Sequence, residues 1–179
     1  MKKKKSHLTI LLDRLELIAA TKQLLLAEDN LEQLAGELEA DVPSNWPMPL
    51  YDDDARAHFI HVLDEDPEAV GWTSWYILLN KESGSKILIG AVGACGPPDE
   101  NGTIVIGYSL LDQFHGLGFA TEALSGFLGW TRQHHGLHKV IADTFPQLKA
   151  SIRVLEKCGF ISNGSGEEED AVRFELLVQ

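Results

Sequence analysis

Residues 103–124 read TIVIGYSLLDQFHGLGFATEAL, and this stretch decides how the chain folds. Its first part, from Thr103 to Leu111, is β-branched and apolar and predicts a buried strand, whereas Ala120 to Arg132 carries apolar side chains at helical spacing. Gly116 and Gly118 therefore lie at the N-terminus of a predicted helix. Backbone N–H groups there lack intrahelical partners and the helix dipole is positive, so the turn predicts a binding site for an anion.

The glycine turn differs from two other phosphate-binding loops. A nucleoside-triphosphate loop ends in Lys-Ser or Lys-Thr, and a dinucleotide loop has three glycines followed by an acidic residue further along the chain. This stretch has neither pattern. The alternative that stays open is that Gly116 and Gly118 only permit a tight turn between strand and helix.

A second motif follows the predicted helix. Lys139 to Phe145 predicts a strand, and the residues from Ala150 to Cys158 predict an amphipathic helix with Gly159 as its C-cap.

Together the two motifs resemble the GNAT superfamily of acyl-coenzyme A N-acyltransferases, in particular the branch of the ribosomal-protein N-terminal acetyltransferases. The family's pyrophosphate motif is Gln or Arg, two residues, Gly, one residue, then Gly or Ala, and Gln113, Gly116 and Gly118 match it. Its later signature is a Ser followed by a helix ending in Leu-Glu-Lys-x-Gly-Phe, matched by Ser151 and Leu155 to Phe160.

The opening strand of that branch is also similar to Asp13 to Leu17, so the resemblance spans nearly the whole chain. It implies one domain over residues 1–179. The fold class it implies is α/β (α+β), with a mixed, mostly antiparallel central sheet flanked by helices.

The resemblance also implies acetyl-coenzyme A as cosubstrate, no metal, and a set of site residues. Ser151 is implied as the general acid that protonates the leaving thiolate, the alternative being a helix cap. Tyr108 is a second candidate for proton transfer, the alternative being packing. The backbone of Ser109, Leu110 and Leu111 is implied to pair with the pantetheine arm, and the amides of His115, Gly116, Leu117, Gly118, Phe119, Ala120 and Thr121 to hold the pyrophosphate.

Three positions depart from the family pattern. Leu148 stands where the branch has Asn, Val105 where many relatives have a general-base Glu, and Leu155 where some have a Tyr acid. The base is therefore unassigned. The fallback is proton removal through water bounded by Tyr108 or Glu122.

These features predict an N-acetyltransferase that moves an acetyl group from acetyl-coenzyme A to a primary amine, whether a protein N-terminus or a small molecule such as a polyamine or an aminoglycoside. An acyl-coenzyme A-binding sensor without catalysis is the alternative of another class. The partners expected are therefore a small-molecule or peptide amine, and the chain is expected to be a monomer or homodimer.

Composition narrows the classes of partner. The 179 residues are 44% hydrophobic and 23% charged, as in a soluble globular domain. The net charge of −12 argues against nucleic acid and favours cationic substrates. Apolar runs are short, and Lys2 to Lys5 is followed by no convincing signal sequence, so we expect a cytoplasmic protein with no membrane contact.

Cysteines and histidines give no metal pattern. Cys95 and Cys158 are expected to be buried thiols. Histidines 134, 135 and 138 cluster near a predicted helix end, where they interact with the dipole rather than with a metal. His58 and His61 are expected to be surface or acceptor-pocket groups, and His115 is placed to touch phosphate.

The rest of the chain predicts further elements. Trp46 and Tyr51 are expected to form one wall of the amine site with the helix that follows; the alternative is that Trp46 plugs the core. Predicted strands are 15–20, 72–79, 86–94 and 103–111, the last three as an antiparallel meander, with closing strands 159–162 and 171–178 around a hairpin at 164–170; predicted helices are 30–39 and 52–63, with an ordered loop at 42–51.

Overall fold

The computed structural model describes residues 7–49 and 51–178. The strands in this part of the chain are β1 Thr9–Leu11, β2 Leu15–Ala19, β3 Ser74–Asn80, β4 Lys86–Ala94, β5 Thr103–Leu110, β6 Lys139–Thr144, β7 Ile161–Ser165 and β8 Val172–Leu177. The α-helices are α1 Lys22–Ala27, α2 Leu31–Leu38, α3 Asp53–Glu65, α4 Phe119–Thr131 and α5 Lys149–Lys157, with short 3₁₀ turns at Pro67–Ala69 and Asp112–Phe114.

The strands form one sheet in the order β1-β2-β3-β4-β5-β6-β8-β7. Its neighbours are antiparallel except for β5 and β6, which are parallel because α4 carries the chain across between them. This mixed, mostly antiparallel sheet flanked by helices confirms the predicted fold class, and the β3-β4-β5 meander is also confirmed.

The parallel pair β5–β6 is short. Pairing runs only from Thr103 with Lys139 to Val105 with Ile141, after which the two strands separate. The later residues of β5 therefore have a strand partner on the β4 side alone. We call the gap beyond Val105 the split.

The two faces of the sheet pack against different helices. Ile104, Ile106 and Leu110 of β5 belong to the cluster that includes α4 residues such as Phe127, which we call the first core. Side chains alternate along a strand, so Val105 and Gly107 point to the opposite face, where α1, α2 and α3 pack elsewhere to form the second core. Val105 is nonetheless 37% exposed and Gly107 is exposed. The second face is thus uncovered at the centre of the sheet, beside the split.

Helix ends follow their capping residues. The side chain of Asn30 accepts from the amides of Glu32 and Gln33 at the start of α2, and that of Asp52 accepts from Ala55 at the start of α3. Gly159 ends α5 with a φ of 90°, which confirms it as the C-cap glycine.

Two predictions of secondary structure need correction. Strand β1 and helix α1 were not predicted, because their three and six residues are too few to show a hydrophobic period. The predicted closing strand at 159–162 is displaced, because Gly159 terminates the helix and β7 begins at Ile161. The predicted hairpin at 164–170 is shorter than expected, because β7 extends to Ser165.

No helix within the described ranges has the length and apolar character needed to span a bilayer.

Candidate active site

The glycine turn joins β5 to α4 as the sequence indicated. Gly116 and Gly118 have φ values of 74° and 82°, in the left-handed region that favours glycine, and Gly118 is the N-cap of α4. The first backbone bond of the helix runs from the Glu122 amide to the Gly118 carbonyl, 3.1 Å. Within residues 7–49 and 51–178, the amides from Gly116 to Thr121 have no hydrogen-bond acceptor. The turn therefore presents a row of free donors at a helix N-terminus.

His115 differs from the rest of the predicted set. Its amide donates to the Asp112 carbonyl at 3.1 Å, closing the short 3₁₀ turn, so this donor is already used. Its ring nitrogen Nε2 lies 2.9 Å from the Leu110 carbonyl at the end of β5. The side chain is thereby held against the strand from which the turn departs.

Arg14 holds the glycine turn in place, a role that sequence reasoning missed. Its backbone amide and Nε donate to the two carboxylate oxygens of Glu122 at 2.8 and 2.7 Å, and its Nη1 donates to the Leu117 carbonyl at 3.0 Å. Its guanidinium also lies 4.5 Å from the centre of the Phe119 ring. Because both oxygens of Glu122 are occupied, the structure argues against Glu122 as a general base.

The end of β5 directs alternate backbone groups to opposite sides. Cys95 donates to the Val105 carbonyl and Leu111 donates to the Ile89 carbonyl, so the odd-numbered residues of β5 face β4. The backbone of Ser109 and Leu111 is therefore directed into the sheet. The backbone of Tyr108 and Leu110 faces the split. The sequence did not show whether the odd-numbered or the even-numbered residues of β5 would bond to β4.

Three hydroxyls meet across the split. The Tyr108 hydroxyl donates to the Ser151 carbonyl at 2.9 Å and lies 3.0 Å from Ser151 Oγ. The Thr144 hydroxyl, at the end of β6, donates to the same Ser151 Oγ at 3.1 Å. The structure thus brings the two predicted catalytic side chains, Tyr108 and Ser151, into direct contact and adds Thr144, which had no sequence signal.

The structure also bears on the alternative roles, helix capping for Ser151 and packing for Tyr108. Ser151 is the third residue of α5, whose N-cap is Leu148, so the expectation that Ser151 caps the helix is wrong. Tyr108 packs against the first core and is half-buried, which raises the pKa of its phenol to about 12, while its hydrogen bond with Ser151 acts in the opposite direction. A phenol with a pKa this high keeps its proton at neutral pH.

A cavity of about 210 Å³ opens on the split. Asp143 in its wall accepts from Arg173 Nε and Nη2, each at 2.9 Å, and from the Glu167 amide at 3.0 Å. The hydrogen bonds from Arg173 lower the pKa of the Asp143 carboxyl, which makes it a weak base. The residues that line the cavity are Val105, Ile106, Asp143, Thr144, Phe145, Glu167, Glu168 and Ala171.

The aromatic loop after α2 does not form an exposed wall. Trp46 and Tyr51 are only 5% and 7% exposed and belong to the second core, which confirms the alternative that Trp46 plugs the core. The hydroxyls of Tyr51 and Tyr76 both donate to Glu28, a carboxyl whose pKa is raised by burial against those hydrogen bonds. The loop touches the turn through Asn45, whose Nδ2 donates to Gln113 Oε1 at 3.3 Å.

The cysteines and histidines give no metal centre. The prediction of a buried thiol is wrong for Cys95, which is exposed at the end of β4, and Cys158 is half-buried. His134 packs against Trp72 and Trp130, with ring centres 4.9 and 4.4 Å apart. No group of three or more potential metal ligands occurs in the part of the chain that the structure describes.

The chain is similar in sequence to known acetyltransferases. The family model of the acetyltransferase (GNAT) domain matches residues 24–161. The uncharacterised N-acetyltransferase YjdG of Bacillus subtilis (strain 168) is 28% identical over 136 residues, which are 76% of this chain and 79% of YjdG.

Solved structures have the same fold. The ribosomal-protein alpha-N-acetyltransferase RimL, solved in complex with coenzyme A, has a TM-score of 0.67 at 18% identity and covers 95% of this chain and 98% of its own. A chimera of the spermidine N-acetyltransferase SpeG from Vibrio cholerae and hSSAT has a TM-score of 0.61 at 17% identity, with 92% of this chain and 96% of its own covered.

Proposed function

Because this chain belongs to the GNAT acetyltransferase family and is an acyl-coenzyme A-dependent acetyltransferase, we propose that it acetylates a primary amine in the split between β5 and β6. One observation carries the proposal. The turn, whose amides are free in the described residues, follows the end of β5 that carries Tyr108, and the Tyr108 hydroxyl reaches Ser151 of α5, the helix that follows β6 on the other side of the split.

The residues of the turn fit the pyrophosphate of acetyl-coenzyme A. Among the described residues, no acceptor binds the amides of Gly116, Leu117, Gly118, Phe119, Ala120 and Thr121. A Cβ placed on Gly116 would meet no heavy atom within 4 Å, so a ligand can approach the backbone. The Arg14 guanidinium lies beside Gly118 and is paired with Glu122. We assign the pyrophosphate to this turn.

The pantetheine arm of the substrate is assigned to the open edge of β5. The backbone groups of Tyr108 and Leu110 face the split, next to the predicted Ser109 and Leu111, whose backbone serves β4 instead. Leu148, which replaces the family's Asn, is exposed at the start of α5 and offers no side-chain hydrogen bond. Binding at the arm therefore depends on the strand backbone.

The chemistry requires a proton donor for the departing thiolate. In our proposal Tyr108 and Ser151 supply it: Ser151 receives a hydrogen bond from Thr144, and Tyr108, with its raised pKa, keeps its proton at neutral pH. This ordered chain of hydroxyls also favours an enzyme over an acyl-coenzyme A sensor. Acetyl transfer needs no metal in this scheme.

The acceptor is a cation before it reacts, since primary amines are protonated at neutral pH. The acidic chain supports a cationic acceptor. The cavity beside Val105 is lined by three acidic residues, Asp143, Glu167 and Glu168, of which the first two both pair with Arg173. The related structures include both a protein N-terminal and a spermidine acetyltransferase. We propose a protein N-terminus or a small polyamine or aminoglycoside as the acceptor of a cytoplasmic monomer or homodimer.

A screen of acceptors tests the proposal. The purified protein is incubated with acetyl-coenzyme A and, separately, spermidine, kanamycin and a peptide with an N-terminal serine, while thiol release and the acetylated product are followed by absorbance and mass spectrometry. Acetylation of one of them with matching thiol release supports the proposal. Tight binding of coenzyme A without transfer to any amine would contradict the proposed transfer and favour a sensor.

A further inference from the structure

We propose that His58 accepts the proton that the acceptor amine loses, an inference that rests on the proposed acetyl transfer. His58 lies on α3, and no side chain that points from β5 toward the uncovered second face at Val105 and Gly107 can accept a proton. A base is required because an ammonium group has no lone pair with which to attack a thioester.

The ring of His58 is fixed by one hydrogen bond. Its Nε2 lies 2.6 Å from the carbonyl oxygen of Cys95, at the end of β4. A carbonyl can only accept, so Nε2 carries the hydrogen and Nδ1 is left with its lone pair. Nδ1 has no hydrogen-bond partner among residues 7–49 and 51–178, and the residue is exposed. His58 is thus held as the tautomer that accepts a proton.

Cys95 places this ring beside the uncovered face. The Cys95 amide donates to the Val105 carbonyl at 2.9 Å, so the two residues are neighbours across β4 and β5. Ala94 points into the first core, and alternation therefore turns Cys95 toward the second face, where α3 lies. A Cβ built on Gly107 would meet no heavy atom within 4 Å, so open space adjoins the ring's side of the sheet.

Other candidate bases are engaged or unsuited. Both oxygens of Glu122 accept from Arg14, and Asp143 is bound by Arg173. Tyr108 keeps its proton at neutral pH. Glu167 is the main competitor: it is 81% exposed and lies 3.7 Å from Arg173, across the cavity.

The nitrogen of an ammonium acceptor loses two protons on becoming an amide. His58 Nδ1 takes the first, directly or through one water, and later releases it to solvent, which leaves the amine with a lone pair. The neutral amine then forms its bond to the acyl carbon and the carbon–sulfur bond breaks. The thiolate takes a proton from the Tyr108–Ser151 pair, and the second proton from the nitrogen replaces it.

The test compares His58→Gln, His58→Ala and the control His61→Gln. Glutamine keeps a donor for the Cys95 carbonyl but cannot act as a base, alanine leaves room for added imidazole, and His61 lies on the same helix paired with Glu65. Activity is measured with the fastest acceptor among spermidine, kanamycin and a peptide with an N-terminal serine, and with hydroxylamine, which is mainly uncharged at neutral pH.

We expect kcat with the amine to fall about 10²- to 10⁴-fold in both His58 variants, with a much smaller loss with hydroxylamine. His61→Gln should keep its activity, and added imidazole should partly rescue His58→Ala. Equal losses with both nucleophiles and no rescue would overturn the proposal in favour of a structural role. Normal turnover in the His58 variants with a large loss in Glu167→Gln would overturn it in favour of Glu167. An unaltered protein that acetylates neither the amines nor hydroxylamine would instead contradict the proposed function itself.

Discussion

Replacing Gly118 with valine should weaken coenzyme A binding while leaving the protein folded. Gly118 has a φ of 82°, a conformation that costs an L-residue about 1–2 kcal/mol and is still less favourable for a β-branched side chain. The space itself is adequate, since a Cβ there would lie 3.4 Å from Arg14 Nη2. The penalty is therefore conformational, and it applies to the turn whose amides have to converge on the pyrophosphate.

If binding requires this conformation, the penalty lowers affinity by about 5- to 30-fold, since about 1.4 kcal/mol corresponds to tenfold. Titration calorimetry with coenzyme A measures the change. Gly129→Ala is the matched control: Gly129 lies inside the same helix α4, has no heavy atom within 4 Å of a built Cβ, and should tolerate alanine with unchanged affinity. A folded Gly118→Val protein that binds coenzyme A as tightly as the unaltered chain would refute the assignment of the pyrophosphate to the turn.

Three further substitutions separate the parts of the site. Ser151→Ala should lower kcat about 10²- to 10⁴-fold with little change in the KM for acetyl-coenzyme A, and a fall below about threefold in steady-state kinetics would remove Ser151 from proton transfer. Arg14→Gln removes the side-chain bonds to Glu122 Oε2 and to the Leu117 carbonyl, while the backbone bond to Glu122 Oε1 remains, so calorimetry should show weaker coenzyme A binding; unchanged affinity would mean that the turn holds its shape without the guanidinium. Trp46→Ala empties a buried site and should cost about 3–5 kcal/mol in chemical denaturation while acceptor KM stays normal; a normal unfolding free energy with a raised KM would restore the loop to the acceptor wall.

The sequence predicted the parts of the fold that show a regular spacing of apolar residues or a glycine at the end of an element. The β5–turn–α4 unit, the meander before it and the C-cap at Gly159 were all evident from apolar spacing and glycines. β1 and α1 were not, because elements of three and six residues show no period.

Only those residues of the candidate site that belong to a local sequence motif were predicted. The glycine turn and Ser151 are motif positions, whereas the contacts of Arg14 with Leu117 and Glu122 span 103 and 108 residues and leave no local signal. A run that is apolar throughout does not show which alternate residues bond to the neighbouring strand. For this reason Ser109 and Leu111 were expected at the pantetheine arm, whereas their backbone bonds to β4. The burial of Trp46 depends on Tyr76 and Tyr51 packing around it, and proline-rich composition alone does not reveal such packing.

Amide hydrogen exchange with and without coenzyme A tests the location of the site most directly. Bound coenzyme A should slow exchange at the amides from Gly116 to Thr121 and at Tyr108 and Leu110, all of which face the split or the turn, while the C-terminal end of α4 stays unchanged. A separate cavity of about 230 Å³ is lined by Glu28, Tyr51 and Arg56. Slowed exchange confined to that cavity, with the turn unaffected, would contradict acetyl transfer in the split between β5 and β6.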